Sequence, residues 1–319
     1  MKITLTTTKV RGNAEKTGKK FGRYTNSPYF CTLRNECKRT KTMKTICAIT
    51  MARNDEFFLR RWVDYYGATL GRENLYVFLD GLDQQLTADY AGVNITPVPH
   101  VEGDVQRADR GRIDFLTARA AELLTRYDLV IGTDVDEFLI VDPVLGQSLP
   151  EYLSAHTRGA SLSALGIDVG QHLGEEGPVK DDVPFLSQRH YALLSDRYSK
   201  CSVLARAVSW GSGFHRIRGH NFHIAPHLYL FHFGCVDYVR LRARSTDEER
   251  LAHGWGKHLG RRARTIELIM HGTPRAWEST THRARRIQNI FRQPYAWNKP
   301  TMLRRKWIVE IPERFRHIV

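Results

Sequence analysis

Tyr127-Asp128-Leu129-Val130-Ile131-Gly132-Thr133-Asp134-Val135-Asp136-Glu137-Phe138 is the stretch on which the fold turns. An apolar run, Leu129-Val130-Ile131, ends in three carboxylates. A buried strand that delivers acids to its C-terminal mouth is how an α/β sheet builds a metal or phosphate site. Asp134 and Asp136 are two residues apart, so an extended backbone turns both to one face, where two carboxylates suit a hard divalent cation. Glu137 falls on the other face. The competing reading is a solvated acidic turn after a strand, since Asp is a common turn residue.

Working outward, the chain upstream alternates strand and helix. Thr45–Met51 is a short strand-type run. Phe57, Phe58, Leu59, Trp62, Val63, Tyr65 and Tyr66 recur at helical spacing behind Asn54-Asp55-Glu56. Leu75–Leu79 is a second buried-type strand ending in Asp80-Gly81, and Asn94–Val98 a third. Asp109 to Thr125 reads as a helix with Ile113, Leu116, Ala120, Leu123 and Leu124 on one face. This order predicts a mostly parallel sheet with helices packed on both faces and a ligand at the C-terminal edge of the strands. Downstream, Ser161–Ile167, Ser202–Ala207 and Leu228–Phe233 read as strands. Ser245-Thr246-Asp247-Glu248 is a capping box opening a helix. Arg-rich helical segments follow.

The reading divides the 319 residues into a basic, disordered tail (1–42), an α/β catalytic domain (43–244) and a basic helical C-terminal region (245–319). The catalytic domain splits into a donor half (43–142) and an acceptor half (143–244). The net charge of +14 is uneven: residues 1–42 hold 11 Lys/Arg against 2 Asp/Glu, and the remainder holds 37 against 32. A tail excess of +9 against +5 elsewhere speaks against a specific nucleic-acid-binding module. Met43 is a plausible natural start. The five cysteines (Cys31, Cys37, Cys47, Cys201, Cys235) form no CxxC pair, which predicts neither a disulfide framework nor a cysteine zinc site and fits a reducing cytoplasm.

Four stretches resemble a known family. Ala52-Arg53-Asn54-Asp55-Glu56 through Trp62-Val63-Asp64-Tyr65-Tyr66, Leu75–Asp83, and Asp134-Val135-Asp136-Glu137-Phe138 resemble, in order and spacing, bacterial glycosyltransferases of the GT-A type, a family-2-like group related to family 92. A weaker match is Leu230-Phe231-His232-Phe233 followed by Arg244-Ser245. Tyr65-Tyr66 departs from the His-His pair frequent in that group, and Phe233 stands where Tyr is usual.

The resemblance implies a GT-A, Rossmann-like nucleotide-diphospho-sugar transferase fold, a nucleotide-sugar donor, and Mn2+ or Mg2+ stabilising the leaving diphosphate. It implies Asp136 as direct metal ligand, and Asp134 at the metal hydration shell or the donor. Asp80 would meet the nucleoside and Arg53 the base or diphosphate. His232 is the candidate third ligand, since a late-strand imidazole serves this role in many such enzymes; the competing reading is a core histidine. Arg110, Arg112 and His215 are candidate donor contacts, against solvated surface positions. Lys200 could face the diphosphate but reads more naturally as a surface lysine. Asp168, at the end of a strand, is the candidate base for the acceptor hydroxyl, with Asp196 and Asp237 in competition. His215, His220, His223, His227 and His232 lack zinc-type spacing. The acceptor is expected to be a glycan or lipid-linked. A basic face over Arg261–Lys306 suggests peripheral contact with the anionic inner face of a membrane. Alternatives are a metal-dependent phosphoesterase or nucleotidyltransferase using the same acids, a basic nucleic-acid-binding module, and a carbohydrate-binding protein without turnover.

Overall fold

The computed structural model describes residues 43–100, 105–245 and 256–319, all within the compact unit Thr42–Val319. β1 (Ile46–Ala52) leads into α1 (Glu56–Leu70), which buries Phe58, Leu59, Trp62, Val63 and Tyr66 at helical spacing. Glu56 does not cap its own helix; its carboxylate accepts hydrogen bonds from the Thr87 and Ala88 amides and so ties down the loop beyond the next strand. β2 (Leu75–Asp80), β3 (Asn94–Val98), α2 (Val105–Leu123) and β4 (Leu129–Gly132) follow. The order β4-β1-β2-β3 is parallel throughout, as the alternation of strand and helix predicts. Every residue of β4 is buried, so both faces of the sheet are covered here.

The second half turns antiparallel. It holds β5 (Glu137–Val141), α3 (Leu149–His156), β6 (Ser161–Gly170), the short α4 (Phe185–Gln188), β7 (Tyr191–Leu194), β8 (Val203–Leu204) and β9 (Ile224–Cys235). β8 joins β4 to β6 by antiparallel pairing, and β9 lies parallel to β6 and antiparallel to β5. α5 (Tyr238–Ser245), α6 (Gly256–His271), α7 (Trp277–Ile290), the β10 (Arg292–Gln293) and β11 (Ala296–Pro300) hairpin, and β12 (Trp307–Glu310) complete the chain. The C-terminal region is therefore not helical alone: β12 pairs with β7 and edges the same ten-stranded mixed sheet. The fold is the expected α/β architecture. Ser245 is the last residue of α5; the rest of the capping box, Thr246–Glu248, and the tail 1–42 lie outside the described residues.

β5 pairs only with β9, which leaves one side of its backbone unbonded by sheet. α1 fills that side. The Leu139 amide donates to the Tyr66 hydroxyl at 2.8 Å, and the Tyr65 hydroxyl donates to the Leu139 carbonyl at 2.7 Å. The Trp62 indole donates to Thr133 Oγ1 at 2.9 Å. Buried backbone groups need partners; the two tyrosines supply them after the acidic turn, and Trp62 holds the Thr133 side chain before it. Tyr65-Tyr66 thus has a structural task here.

Cys47, Cys201 and Cys235 are free and buried. No helix among the described residues is long and apolar enough to cross a membrane. A cavity of about 300 Å3 lined by Tyr65, Ile140, Ser148 and Ile318, among others, touches none of the acids discussed below.

Candidate active site

β4 stops at Gly132, and Thr133–Asp136 form the turn into β5. The acids therefore sit between two strands, not at the end of one. Asp134, Asp136 and Glu137 each place a carboxylate oxygen within 4.8 Å of the others. Glu137 opens β5, opposite His232 on β9, and His232 lies beside Asp168 on β6. Residues paired across neighbouring strands share a face, so Glu137, His232 and Asp168 form one lateral row behind the two aspartates.

His232 is the centre of that row. Its Nδ1 is 2.7 Å from Asp168 Oδ1 and its Nε2 is 3.4 Å from Asp136 Oδ2. The Tyr198 ring stacks on the imidazole with centroids 3.7 Å apart. Burial favours the neutral ring, but Asp136 and Asp168 outweigh it and raise the His232 pKa to about 9. Asp168 is itself buried, and its second oxygen accepts from Thr265 Oγ1 at 2.9 Å. An acceptor hydroxyl would have to displace these contacts to use it as a base. Its competitors are also engaged: Asp196 accepts from the Met302 amide, and Asp237 from the Val179 and Arg240 amides at the start of α5.

Three fixed cations surround the acids. Arg112 of α2 donates to Asp134 Oδ1 at 2.6 Å and to Asp109 at 3.0 Å. Lys200 Nζ lies 2.9 Å from Asp134 Oδ2 and 2.6 Å from Glu137 Oε1. Arg262 of α6 reaches Asp136 Oδ2 at 3.1 Å. Burial works against the Asp134 carboxylate, but Arg112 and Lys200 hold its pKa far below the ordinary range. Burial dominates at Glu137 and raises its pKa to about 7 against the pull of Lys200.

Lys200 is thus a buried member of the cluster and not the surface lysine its sequence context suggests. The backbone of 195–201 runs close over β6, where the Gly166 amide donates to Ser199 Oγ and the Ser195 amide to the Gly166 carbonyl. A Cβ on Gly166 would run into the backbone of Ser195, Tyr198 and Ser199. Gly234 serves the other side: a Cβ there would fall 2.6 Å from the His232 ring and 2.8 Å from Arg262 Cζ. Arg262 and Tyr198 were not singled out by the sequence. Only the density of Arg near 261–264 pointed that way.

The second cluster lies at the mouth of β2. Arg53 Nη1 donates to the Asp80 carbonyl at 2.6 Å, and the Asp80 carboxylate contacts His100 Nδ1 at 2.9 Å. Gly81, at φ 123°, leaves the space that Arg53 and Asp83 occupy. β4 and β2 flank β1, so the two clusters are about 10 Å apart along the sheet edge. His215 is held close to Lys200 and Lys299; burial and these charges push its pKa well below the usual histidine value, and its Nδ1 is buried without a hydrogen bond. Arg110 is exposed, and its place two residues before Arg112 turns it to a different side of α2. His220, His223 and His227 are exposed and do not join His215 or His232; among the described residues the acid triad is the group able to hold a metal ion.

No protein-family model and no curated protein matches the chain. Among solved structures it is similar to the mannosyltransferase PcManGT from Pyrobaculum calidifontis, in complex with GDP-Man and Mn2+, with 11% identity, a TM-score of 0.35, and coverage of 69% of this chain and 66% of that one. It is also similar to mannose-1-phosphate geranyltransferase from Thermus thermophilus, with 11% identity, a TM-score of 0.24, and coverage of 72% and 65%. The chain spans just under two thirds of either. Neither likeness is close enough to carry a functional argument.

Proposed function

We propose that this chain is a glycosyltransferase of the GT-A type, moving a sugar from a nucleotide-sugar donor to a glycan or lipid-linked acceptor with a divalent cation, Mn2+ or Mg2+. The observation that carries the reading is the convergence of the Asp134, Asp136 and Glu137 carboxylates within 4.8 Å at the sheet edge, ringed by Arg112, Lys200 and Arg262. Acids alone suit a cation; acids ringed by cations suit a cation carrying an anionic ligand.

Asp136 would hold the ion, with His232 joining once the cation displaces the Nε2 proton that its raised pKa keeps near neutral pH; when bound, the ion would act as a Lewis acid toward the leaving diphosphate. The donor set fits: Asp168 takes the Nδ1 side of His232, so Nε2 is the nitrogen aimed at Asp136. We assign Asp168 this orienting role in place of the general-base role read from the sequence. Lys200 and Arg262 would supply fixed positive charge to the diphosphate. Asp134, locked by Arg112 and Lys200, would accept hydroxyls of the donor. Arg53 and Asp80 would meet the nucleoside, about 10 Å along the edge.

The test is a thermal-shift titration of nucleoside diphosphates and nucleotide-sugars with and without Mn2+, followed by product analysis. Stabilisation that needs both metal and nucleotide, lost in Asp136→Ala, supports the reading. Sugar 1-phosphate in place of nucleoside diphosphate among the products would convert it to phosphoester or nucleotidyl transfer. No metal-dependent nucleotide binding at any pH tested would overturn it.

A further inference from the structure

Among the described residues twelve large hydrophobic side chains are exposed, and five of them fall between Ile290 and Leu303. They are Ile290 (66% exposed), Phe291 (45%), Tyr295 (73%), Trp297 (60%) and Leu303 (42%). The other seven are scattered over the chain from Met43 to Val239. Single exposed apolar residues are ordinary, but five between Ile290 and Leu303, three of them aromatic, in and beside one hairpin are not.

The alternation along β11 turns Trp297 outward. Ala296, Asn298 and Pro300 of β11 are buried, so Trp297 and Lys299 point the opposite way. The Asn298 side-chain Nδ2 donates to the carbonyls of Ile217 and His220, pinning the inner face to the loop that carries His215. Tyr295 stays on the outer side, with Lys299 Nζ 5.8 Å from its ring centroid. Beyond β11 the chain turns through Leu303 and Arg304, both with left-handed φ (51° and 63°), a conformation that side-chain-bearing residues seldom adopt. The turn exposes Leu303 together with Arg304, Arg305 and Lys306. Arg283 and Arg286 of α7 are exposed as well. The surface is therefore apolar and aromatic with a cationic surround. It calls for an occupant that is apolar beneath and anionic above. Residues 1–42 carry a net charge of +9, the same sign, and do not complement it.

We propose that the β10–β11 hairpin and the turn after it are a docking surface for an anionic lipid bilayer. Tyr and Trp seat well at the headgroup level, and Lys and Arg gain from the negative surface potential. The hairpin also borders the candidate site. Gln293 donates to Asp196, four residues before Lys200, and Lys299 is close enough to Arg197, Arg216 and Lys200 to feel their charge. A bilayer on the outer face of the hairpin would thus lie beside the segment that carries Lys200. On the transferase reading above, this selects a lipid-borne acceptor over a free glycan.

The full-length protein is sedimented with vesicles of phosphatidylcholine alone and with vesicles containing about 30% phosphatidylglycerol, in the range of an anionic leaflet. The expected result is binding to the anionic vesicles that falls at least tenfold in Tyr295→Ser/Trp297→Ser, a change that leaves every charge, including the basic tail, in place. Brominated-lipid vesicles should quench tryptophan emission, and Trp297→Phe should lose that quenching. Arg304→Glu/Arg305→Glu should weaken binding and reduce its salt dependence. Both substituted pairs are exposed, and an unchanged melting temperature checks that each variant is folded. Wild-type levels of vesicle binding in the serine double variant would overturn the proposal. So would a wild-type dimer that this variant breaks, since the surface would then be covered by a second copy. Vesicle binding needs neither metal nor nucleotide, so its failure is separable from failure of the transferase reading. A transferase that does not bind vesicles refutes only the docking surface.

Discussion

Lys200 bridges to Asp134 at 2.9 Å while its own side chain is only 3% exposed. An ammonium group so deeply enclosed persists because Asp134 and Glu137 both face it, which outweighs the cost of burying its charge and raises its pKa. Removing it strands two carboxylates. Lys200→Met is expected to destabilise the fold by about 3–5 kcal/mol, the usual cost of breaking a buried pair. Lys200→Met/Glu137→Gln should lose less than the sum of the single changes. Denaturant unfolding of the four proteins gives the coupling directly.

Asp136 meets the imidazole of His232 and the guanidinium of Arg262 through one oxygen, Oδ2. Asp136→Asn keeps the shape and removes the negative charge that a cation needs. On the proposed transferase reading, metal-dependent turnover is expected to fall on the order of a hundredfold or more, since a Lewis acid in such a site is worth several kcal/mol. Chelation of the wild-type protein should cost as much, and excess Mn2+ should restore the wild type but not the variant.

The Tyr66 hydroxyl is the partner of the Leu139 amide on the open side of β5. Tyr66→Phe leaves that N–H buried and unpaired, at a cost of about 1–3 kcal/mol. The loss should appear as a lower melting temperature and as faster hydrogen exchange at Leu139.

His215 stays neutral in the folded protein because burial and the nearby Lys200 and Lys299 depress its pKa. The unfolded chain protonates near the ordinary value of about 6.5, so below it the unfolded state binds more protons than the folded one. Stability contributed by this group is present above that pH and is lost as pH falls. His215→Gln should flatten the decline in unfolding free energy between about pH 7 and pH 5 relative to wild type.

The parallel half of the sheet was legible because local signals decide it. Apolar runs at Leu75–Leu79 and Leu129–Ile131, with a helical stripe between strands, imply parallel pairing with little alternative. The acidic turn was legible for the same reason. What could not be read was the partner across the sheet. Phe138–Val141 continues as a strand directly after the acids, and nothing local distinguishes it from the end of β4. Lys200 and Arg262 lie 66 and 126 residues from the aspartates they meet. Sequence pattern carries no signal at such separations when the residue is a lone cation in a polar context. Asp168 was found by its place at a strand end, but its burial beneath His232 and Thr265 depends on β9 and α6, which only the tertiary fold supplies.

Gly166 sets how far the loop carrying Lys200 can rise above β6. Because any side chain there meets backbone and not a flexible tip, the obstruction cannot be relieved by a rotamer change. The protein is thereby divided into two mutational regimes. The exposed positions at Arg197, Arg216 and along the hairpin can change without meeting backbone. The height of the loop is a fixed dimension, and a descendant with an alanine at 166 would have to rebuild the 195–201 crossing before it could again bring an ammonium group down to the aspartates.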